Sequence, residues 1–133
     1  MPPASAYPPA IDPHRVGEYD AHCFSGGGYF YDEVLEYRVW CHPERGAPDE
    51  AEGSDYFYAF ATYEEALAFA EQTAGAEEPV VLVRQHEYIN EPQPGVYQHC
   101  RSVRITEWLP QWLAGGKRAA NSIAHFLQTQ QQP

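Results

Sequence analysis

The sequence lacks long hydrophobic runs, has few basic residues and contains only three cysteines. No stretch approaches the roughly 20 consecutive apolar residues that a transmembrane helix needs, so we expect no membrane span. Residues 1–13 have neither the basic nor the apolar region of a secretory signal peptide, which predicts a cytoplasmic protein. Three cysteines are too few for a disulfide framework, and this agrees with a reducing compartment.

The charge balance is strongly acidic, with 19 acidic and 8 basic residues and a formal net charge of -11. Because this surplus repels other polyanions at long range, neither nucleic acid nor an anionic membrane is expected as a partner. Lys117 is the single lysine, and the other seven bases are arginines. Their planar guanidinium groups are suited to bidentate recognition of carboxylate or phosphate.

The length of 133 residues is that of one domain, which buries roughly two thirds of the surface that its unfolded chain exposes. Residues 1–13 contain five prolines and no periodic pattern, which predicts a disordered or polyproline-like arm. Residues 14–127 are expected to form the single domain. Residues 128–133 are expected to form a polar tail.

Residues 55–75, DYFYAFATYEEALAFAEQTAG, predict a strand followed by a capped amphipathic helix. Large aromatic residues occupy both alternating faces of the strand up to Phe60. Thr62 and Glu65 have the spacing of a capping box, in which two side chains satisfy amides at the start of a helix. Apolar residues then recur on one helical face, and Gly75 is placed to end the helix.

Residues 29–41 form another strand candidate, with an apolar face and a partly polar one. The apolar face consists of Leu35, Tyr37, Val39 and Cys41. Glu36 and Arg38 fall on the opposite face, which we expect to be solvated. One buried face and one wet face favour an antiparallel sheet.

The remaining pattern completes the expected fold. Residues 43–54 have the composition of an exposed acidic loop. Residues 79–89 and 96–108 have the composition of two further strands. The sequence therefore predicts an α+β domain with an antiparallel sheet of about four strands, in the order β-β-α-β-β. One helix packs on this sheet, and a short C-terminal helix ends near residue 127.

The last two strands predict a cluster of cationic and aromatic side chains, provided that residues 90–95 form the loop of a symmetric hairpin. With Ile89 opposite Val96, three like pairs would then face one another on one side of the ribbon. They are Tyr88 with Tyr97, His86 with His99, and Arg84 with Arg101. This assignment depends on the register, because a shift of one residue moves each side chain to the other face.

Like charges that lie opposite one another are destabilising, so such a cluster would require compensating negative charge. One hypothesis is a small ligand bearing a carboxylate or phosphate, clamped by Arg84 and Arg101, with the histidines as donors or as an acid/base pair. The alternative is that the arginines pair with acidic side chains of the protein, such as Glu36 or Glu87, or point into water.

Each cysteine lies beside a histidine, and both are preferred ligands of zinc. The three pairs are His22-Cys23, Cys41-His42 and His99-Cys100. Adjacent residues on a strand point to opposite faces, so each pair offers only one ligand to a given site. The sequence also lacks any C-x2-C or H-x3-H unit. We therefore predict no metal site and expect the cysteines to be small buried hydrophobic residues.

Three segments carry a family resemblance: SGGGYFYDEVLEYRVWCHPERG, YFYAFATYEEALAFAEQTAGAEEPVVLVRQHEYINEP and RITEW. Over roughly residues 11–127 the chain resembles a small family of uncharacterised proteobacterial proteins, whose members are often described as GNAT-type acetyltransferases. The resemblance implies acetyl-coenzyme A bound in a splayed sheet, with its pyrophosphate on a Q/R-x-x-G-x-G/A loop at a helix start. This motif does not occur in the sequence, and Glu64 and Glu65 would repel a pyrophosphate at the expected helix start. No catalytic residue is therefore assigned.

The sequence thus favours an oligomeric domain that binds a small anionic ligand or a protein partner, without a cofactor. Acyl transfer from acetyl-coenzyme A is the alternative that the resemblance implies.

Overall fold

The computed structural model describes residues 7–19, 30–115 and 117–130. In these ranges the chain forms six strands, two α-helices and three short 3-10 turns. The strands are β1 Glu33–Cys41, β2 Tyr56–Phe60, β3 Val80–Gln85, β4 Tyr88–Gln93, β5 Val96–Cys100 and β6 Arg104–Trp108. The helices are α1 Tyr63–Gln72 and α2 Ser122–Gln130, and the 3-10 turns are Pro13–Arg15, Pro43–Arg45 and Pro110–Gly115.

The four-stranded sheet has the order β2-β1-β3-β6, and all of its neighbouring strands are antiparallel. β4 and β5 form a second, two-stranded antiparallel sheet. The prediction of an α+β fold with antiparallel pairing is confirmed. The predicted single sheet of about four strands is corrected to two sheets, because each long C-terminal strand candidate is interrupted and contributes one strand to each sheet.

The register of the C-terminal ribbon also differs from the prediction. Tyr88 lies opposite Cys100 rather than Tyr97, and Arg84 lies opposite Ile105 rather than Arg101. The cause is a tight turn at residues 94–95, where Gly95 has a φ of 80°. Proline followed by a glycine with positive φ is the pair that a type II turn favours. A two-residue turn at residues 94–95 therefore joins the two strands, in place of the predicted six-residue loop.

The main core lies on one face of the four-stranded sheet and beneath α1. It consists of Tyr31, Val34, Tyr37, Val39, Cys41, Ala47, Ala66, Val81, Val83, Trp108 and Leu113. The predicted cap is present, since Thr62 Oγ1 accepts from Glu65 N at 3.2 Å. α1 ends at Gln72, before Gly75. Because period-two strands and a capped helix depend on short-range patterns, these elements follow directly from the sequence.

The opposite face of the sheet buries a charged network where the sequence predicts solvated residues. Glu36 is 0% exposed and Arg38 is 3% exposed. Arg38 Nε donates to Glu36 Oε2 at 2.6 Å, and its Nη1 donates to Glu107 Oε2 at 2.9 Å. The expectation of a wet face is wrong because residues 17–19 cover this network: Tyr19 O accepts from Arg38 Nη2, and Gly17 N donates to Glu36.

The described end of the predicted arm packs against the domain. Tyr37 donates its hydroxyl hydrogen to Pro8 O at 2.5 Å, and Ala10 N donates to Ala61 O at 2.7 Å. Residues 1–6 and 131–133 lie outside the described residues. Within the described ranges, no helix combines the length and the apolar character needed to span a bilayer.

Candidate functional site

The six residues of the predicted ligand site divide into separate contacts. Arg84 Nη1 donates to Glu33 Oε1 at 2.8 Å, and His86 Nε2 lies 3.5 Å from the same oxygen. His99 Nε2 lies 2.6 Å from Glu87 Oε1. With the corrected register, each of these side chains therefore lies beside a carboxylate of the protein itself.

Arg118 joins these contacts into one group. It bonds Asp32 at 2.9 Å and Glu87 at 3.2 Å, and the hydrogen bond to Asp32 raises the pKa of its guanidinium. Arg101 is 75% exposed, and its Nε lies 4.0 Å from Glu87 Oε1. We call this group the ribbon network; it consists of Asp32, Glu33, Arg84, His86, Glu87, His99, Arg101 and Arg118. Its three arginines face three carboxylates, so it carries no excess of fixed positive charge.

The two predicted tyrosines contact other elements. The guanidinium of Arg104 lies 4.0 Å from the ring centre of Tyr88, as in a cation–π contact. The ring of Tyr97 packs edge-on against Phe126 of α2, with the ring centres 5.2 Å apart. The structure thus brings the arginines and histidines into one region but gives the tyrosines packing roles. An anionic ligand at these residues stays a prediction.

A second group of polar side chains forms around His42, directly after β1. His42 N donates to Gly75 O at 2.9 Å, which fixes the backbone at the end of the strand. Gly75 has a φ of 76°, and a Cβ at this position would lie 2.7 Å from His42 O and also overlap Ala47. Glycine is therefore required where these two segments meet.

The imidazole of His42 lies among three carboxylates. Its Nε2 is 2.5 Å from Glu77 Oε2, the distance of a hydrogen bond in which the ring N–H donates to the carboxylate. Its Nδ1 is 2.8 Å from Asp55 Oδ1 and 3.7 Å from Glu44 Oε1. The pKa of His42 is raised, first by the hydrogen bond to Glu77 and then by Asp55.

The Nδ1 atom is the unusual feature of this group. His42 is only 9% exposed, and Nδ1 is buried without a hydrogen bond of suitable direction to any described residue. Asp55 is near it in distance but does not complete that bond. Buried polar atoms normally have a partner, so an atom in this state requires an explanation. The three residues His42, Glu44 and Asp55 are called the His42 cluster below.

The separations within the His42 cluster agree with metal coordination. One ligand atom from each residue lies within 4.8 Å of the other two. Zinc bonds of about 2.0–2.1 Å in tetrahedral geometry place neighbouring ligand atoms about 3.3 Å apart. The two distances from Nδ1, 2.8 and 3.7 Å, lie on either side of that value. Glu77 holds the other ring nitrogen, as carboxylates commonly do behind a metal-binding histidine.

In the sequence, His42 stands out only as the neighbour of Cys41. Cys41 is buried in the core with its thiol free, and His42 points away from it toward carboxylates. The sequence does carry a relevant pattern: His42 and Glu44 are two residues apart, and Asp55 closes the same loop. Of the other pairs, His99-Cys100 lies in the ribbon, and His22-Cys23 lies outside the described residues.

Comparison with known proteins does not assign the chain to a family. The chain matches no protein-family model, and searches of curated proteins and of solved structures find no similar protein.

Proposed function

We propose that this domain binds one divalent transition-metal ion of the zinc type, through Nδ1 of His42 and the carboxylates of Glu44 and Asp55. The observation that carries the proposal is the buried Nδ1 atom, which lies 2.8 and 3.7 Å from two carboxylate oxygens without a hydrogen bond of suitable direction to either. A cation between these groups would give the nitrogen a partner and offset the repulsion between the carboxylates.

The ligand types favour a transition metal over magnesium or calcium. Imidazole nitrogen suits zinc, copper, nickel and iron, whereas magnesium and calcium prefer oxygen ligands throughout. The side chains of Glu44 and Asp55 are 60% and 46% exposed, so the cluster opens to solvent on the carboxylate side. Three protein ligands leave one tetrahedral position for water.

The competing explanation is a purely structural one. A protonated imidazole ring would also be held by the surrounding carboxylates, without any metal. The two explanations differ in whether added zinc displaces the proton and binds with defined stoichiometry.

Isothermal titration of the full chain with zinc chloride tests the proposal. We expect one ion per chain for the wild type and no measurable binding for H42Q and D55N, with circular dichroism used to verify folding. E52Q is the matched control, because it removes the same charge from the same exposed loop but lies outside the cluster. Absence of zinc binding in the wild type, or unchanged binding in H42Q, would refute the proposal.

An anionic ligand at the ribbon network stays a second proposal, together with the acetyl-coenzyme A alternative. It is supported by Arg101 and His86, whose side chains are 75% and 49% exposed and only loosely held. Thermal-shift measurements with phosphate, simple carboxylates and acetyl-coenzyme A test both ideas. A ligand at about 100 times its Kd stabilises a fold by roughly 2.7 kcal/mol. A shift with acetyl-coenzyme A alone would favour acyl transfer, and no shift would oppose both.

A further inference from the structure

The two carboxylates of the His42 cluster stand near opposite ends of a single loop. Residues 43–55 connect β1 with β2; Glu44 is at the start of this segment and Asp55 is its last residue. We call this segment the acidic loop. An ion held by Glu44 and Asp55 would therefore close the loop at its base, with His42 anchoring the ion to the end of β1.

The acidic loop lies against the tyrosines of β2. Tyr56 donates its hydroxyl hydrogen to Pro48 O at 2.7 Å, and Tyr58 donates its own to the carboxylate of Glu50. β2 is the terminal strand of the four-stranded sheet that the described residues form. The loop thus contacts the tyrosine hydroxyls of an edge strand, while Tyr58 itself stays 39% exposed.

The charge of the acidic loop opposes this closed arrangement. The segment contains five carboxylates and one arginine. Hydrogen bonds within the loop hold its tip: Gly53 N donates to Asp49 Oδ1 at 2.7 Å, and Ser54 N donates to Ala51 O at 3.0 Å. A divalent ion at the base would offset the repulsion that acts to open the segment.

We infer that metal binding at the His42 cluster closes the acidic loop against the tyrosines of β2. The inference rests on the proposed function and adds the effect that a bound metal ion has on the acidic loop. In the loaded protein the loop stays hydrogen-bonded to the tyrosines of β2. In the metal-free protein the loop opens more often and breaks its hydrogen bonds to Tyr56 and Tyr58.

Hydrogen–deuterium exchange of the full chain, with and without zinc, tests the inference. We expect zinc to slow exchange of the Gly53 and Ser54 amides by roughly tenfold, because fixing both ends of the loop stabilises the hydrogen bonds that these amides make within its tip. Peptides from β3 should change little and serve as the internal reference. D55N should show the metal-free pattern with or without zinc.

E50Q provides a variant that separates binding from closure. It leaves the three ligands in place but weakens the contact of the loop with Tyr58, so zinc should bind as in the wild type while protection of residues 47–54 falls. Zinc binding that leaves exchange of the loop unchanged, or slows exchange equally over the whole chain, would overturn the inference and leave the metal site standing. Absence of zinc binding would overturn both.

Discussion

At the scale of single residues, Glu77 determines which nitrogen of His42 faces the other two carboxylates. A neutral imidazole has one N–H and one lone pair. When the N–H on Nε2 donates to Glu77, the lone pair resides on Nδ1, beside Asp55 and Glu44. The raised pKa of His42 favours the protonated ring, so an arriving ion has to displace the Nδ1 proton before it can bind that nitrogen.

The variant E77Q tests this role of Glu77. We expect it to weaken zinc binding by roughly 10- to 100-fold, the usual cost of losing a carboxylate behind a metal-binding histidine. E78Q removes the neighbouring exposed carboxylate and should bind zinc like the wild type. Titration calorimetry measures both. Equal affinities for E77Q and the wild type would show that Glu77 does not orient the ring for an ion.

Tyr58 gives a prediction about pH. Its hydrogen bond to Glu50 is the first cause that raises its pKa, to about 12 from an ordinary value of 10.0, and burial adds to the shift. A raised pKa means that the folded state favours the protonated phenol. The stabilisation is therefore complete below pH 10 and is lost as the pH rises through about 12.

Ultraviolet absorbance of tyrosinate, compared between the wild type and Y58F, isolates this titration. In E50Q the transition should move down toward the ordinary value of 10.0. A wild-type transition that already occurs near that value would mean that the acidic loop does not hold Tyr58 in solution.

At the scale of elements, Gly75 lets the segment after α1 pack closely against the start of the acidic loop. The positive φ of this residue and its close approach to His42 and Ala47 both exclude a side chain. G75A should therefore lower the free energy of unfolding by roughly 2–5 kcal/mol, from backbone strain and overlap together.

G17A is the matched control for G75A. Gly17 has a similar φ of 91°, but no atom lies within 4 Å of a Cβ built there. Only the backbone strain of about 1–2 kcal/mol applies at this position. Urea denaturation measures both variants. Equal losses for G75A and G17A would contradict the close packing that positions His42.

Elements that depend on local patterns were predictable from the sequence, and the ribbon register was not. The cap at Thr62 and the alternation from Tyr37 to Cys41 in β1 involve neighbours within a few residues. The earlier part of this strand was predicted wrongly, because an irregularity between Val34 and Glu36 places Val34 in the main core and Leu35 with Tyr19 and Leu82. The register instead depended on where the chain turns, and Pro92 and Pro94 together suggested a long loop. Pro92 is tolerated inside β4 because the pairing is irregular between Asn90 and Gln93, and a two-stranded ribbon leaves unpaired edges.

The His42 cluster was not predictable for a related reason. Glu77 approaches the imidazole from 35 residues away, and Asp55 ends a loop whose acids have the pattern of ordinary solvated residues. No spacing rule connects such positions, because their proximity comes from the antiparallel return of β2 and from the bridge between Cys41 and Ala76.

At the scale of the whole molecule, the net charge of -11 favours a cation over an anion as a bound ion. The sequence left open whether Arg84 and Arg101 hold an anionic ligand or pair with acidic side chains of the protein. In the ribbon network those arginines are matched by Asp32, Glu33 and Glu87, and Arg38 is matched by its own buried carboxylates. The acidic surplus remains elsewhere, including the acidic loop. The predicted homo-oligomer stays a prediction.

X-ray absorption at the zinc edge, on the full chain loaded with one equivalent of zinc, tests the metal site most directly. We expect a first shell of nitrogen and oxygen at about 2.0–2.2 Å, with the outer-shell scattering of one imidazole and no sulfur. Sulfur at about 2.3 Å would place the ion on cysteine rather than on the His42 cluster, and a protein that retains no zinc would contradict the account altogether.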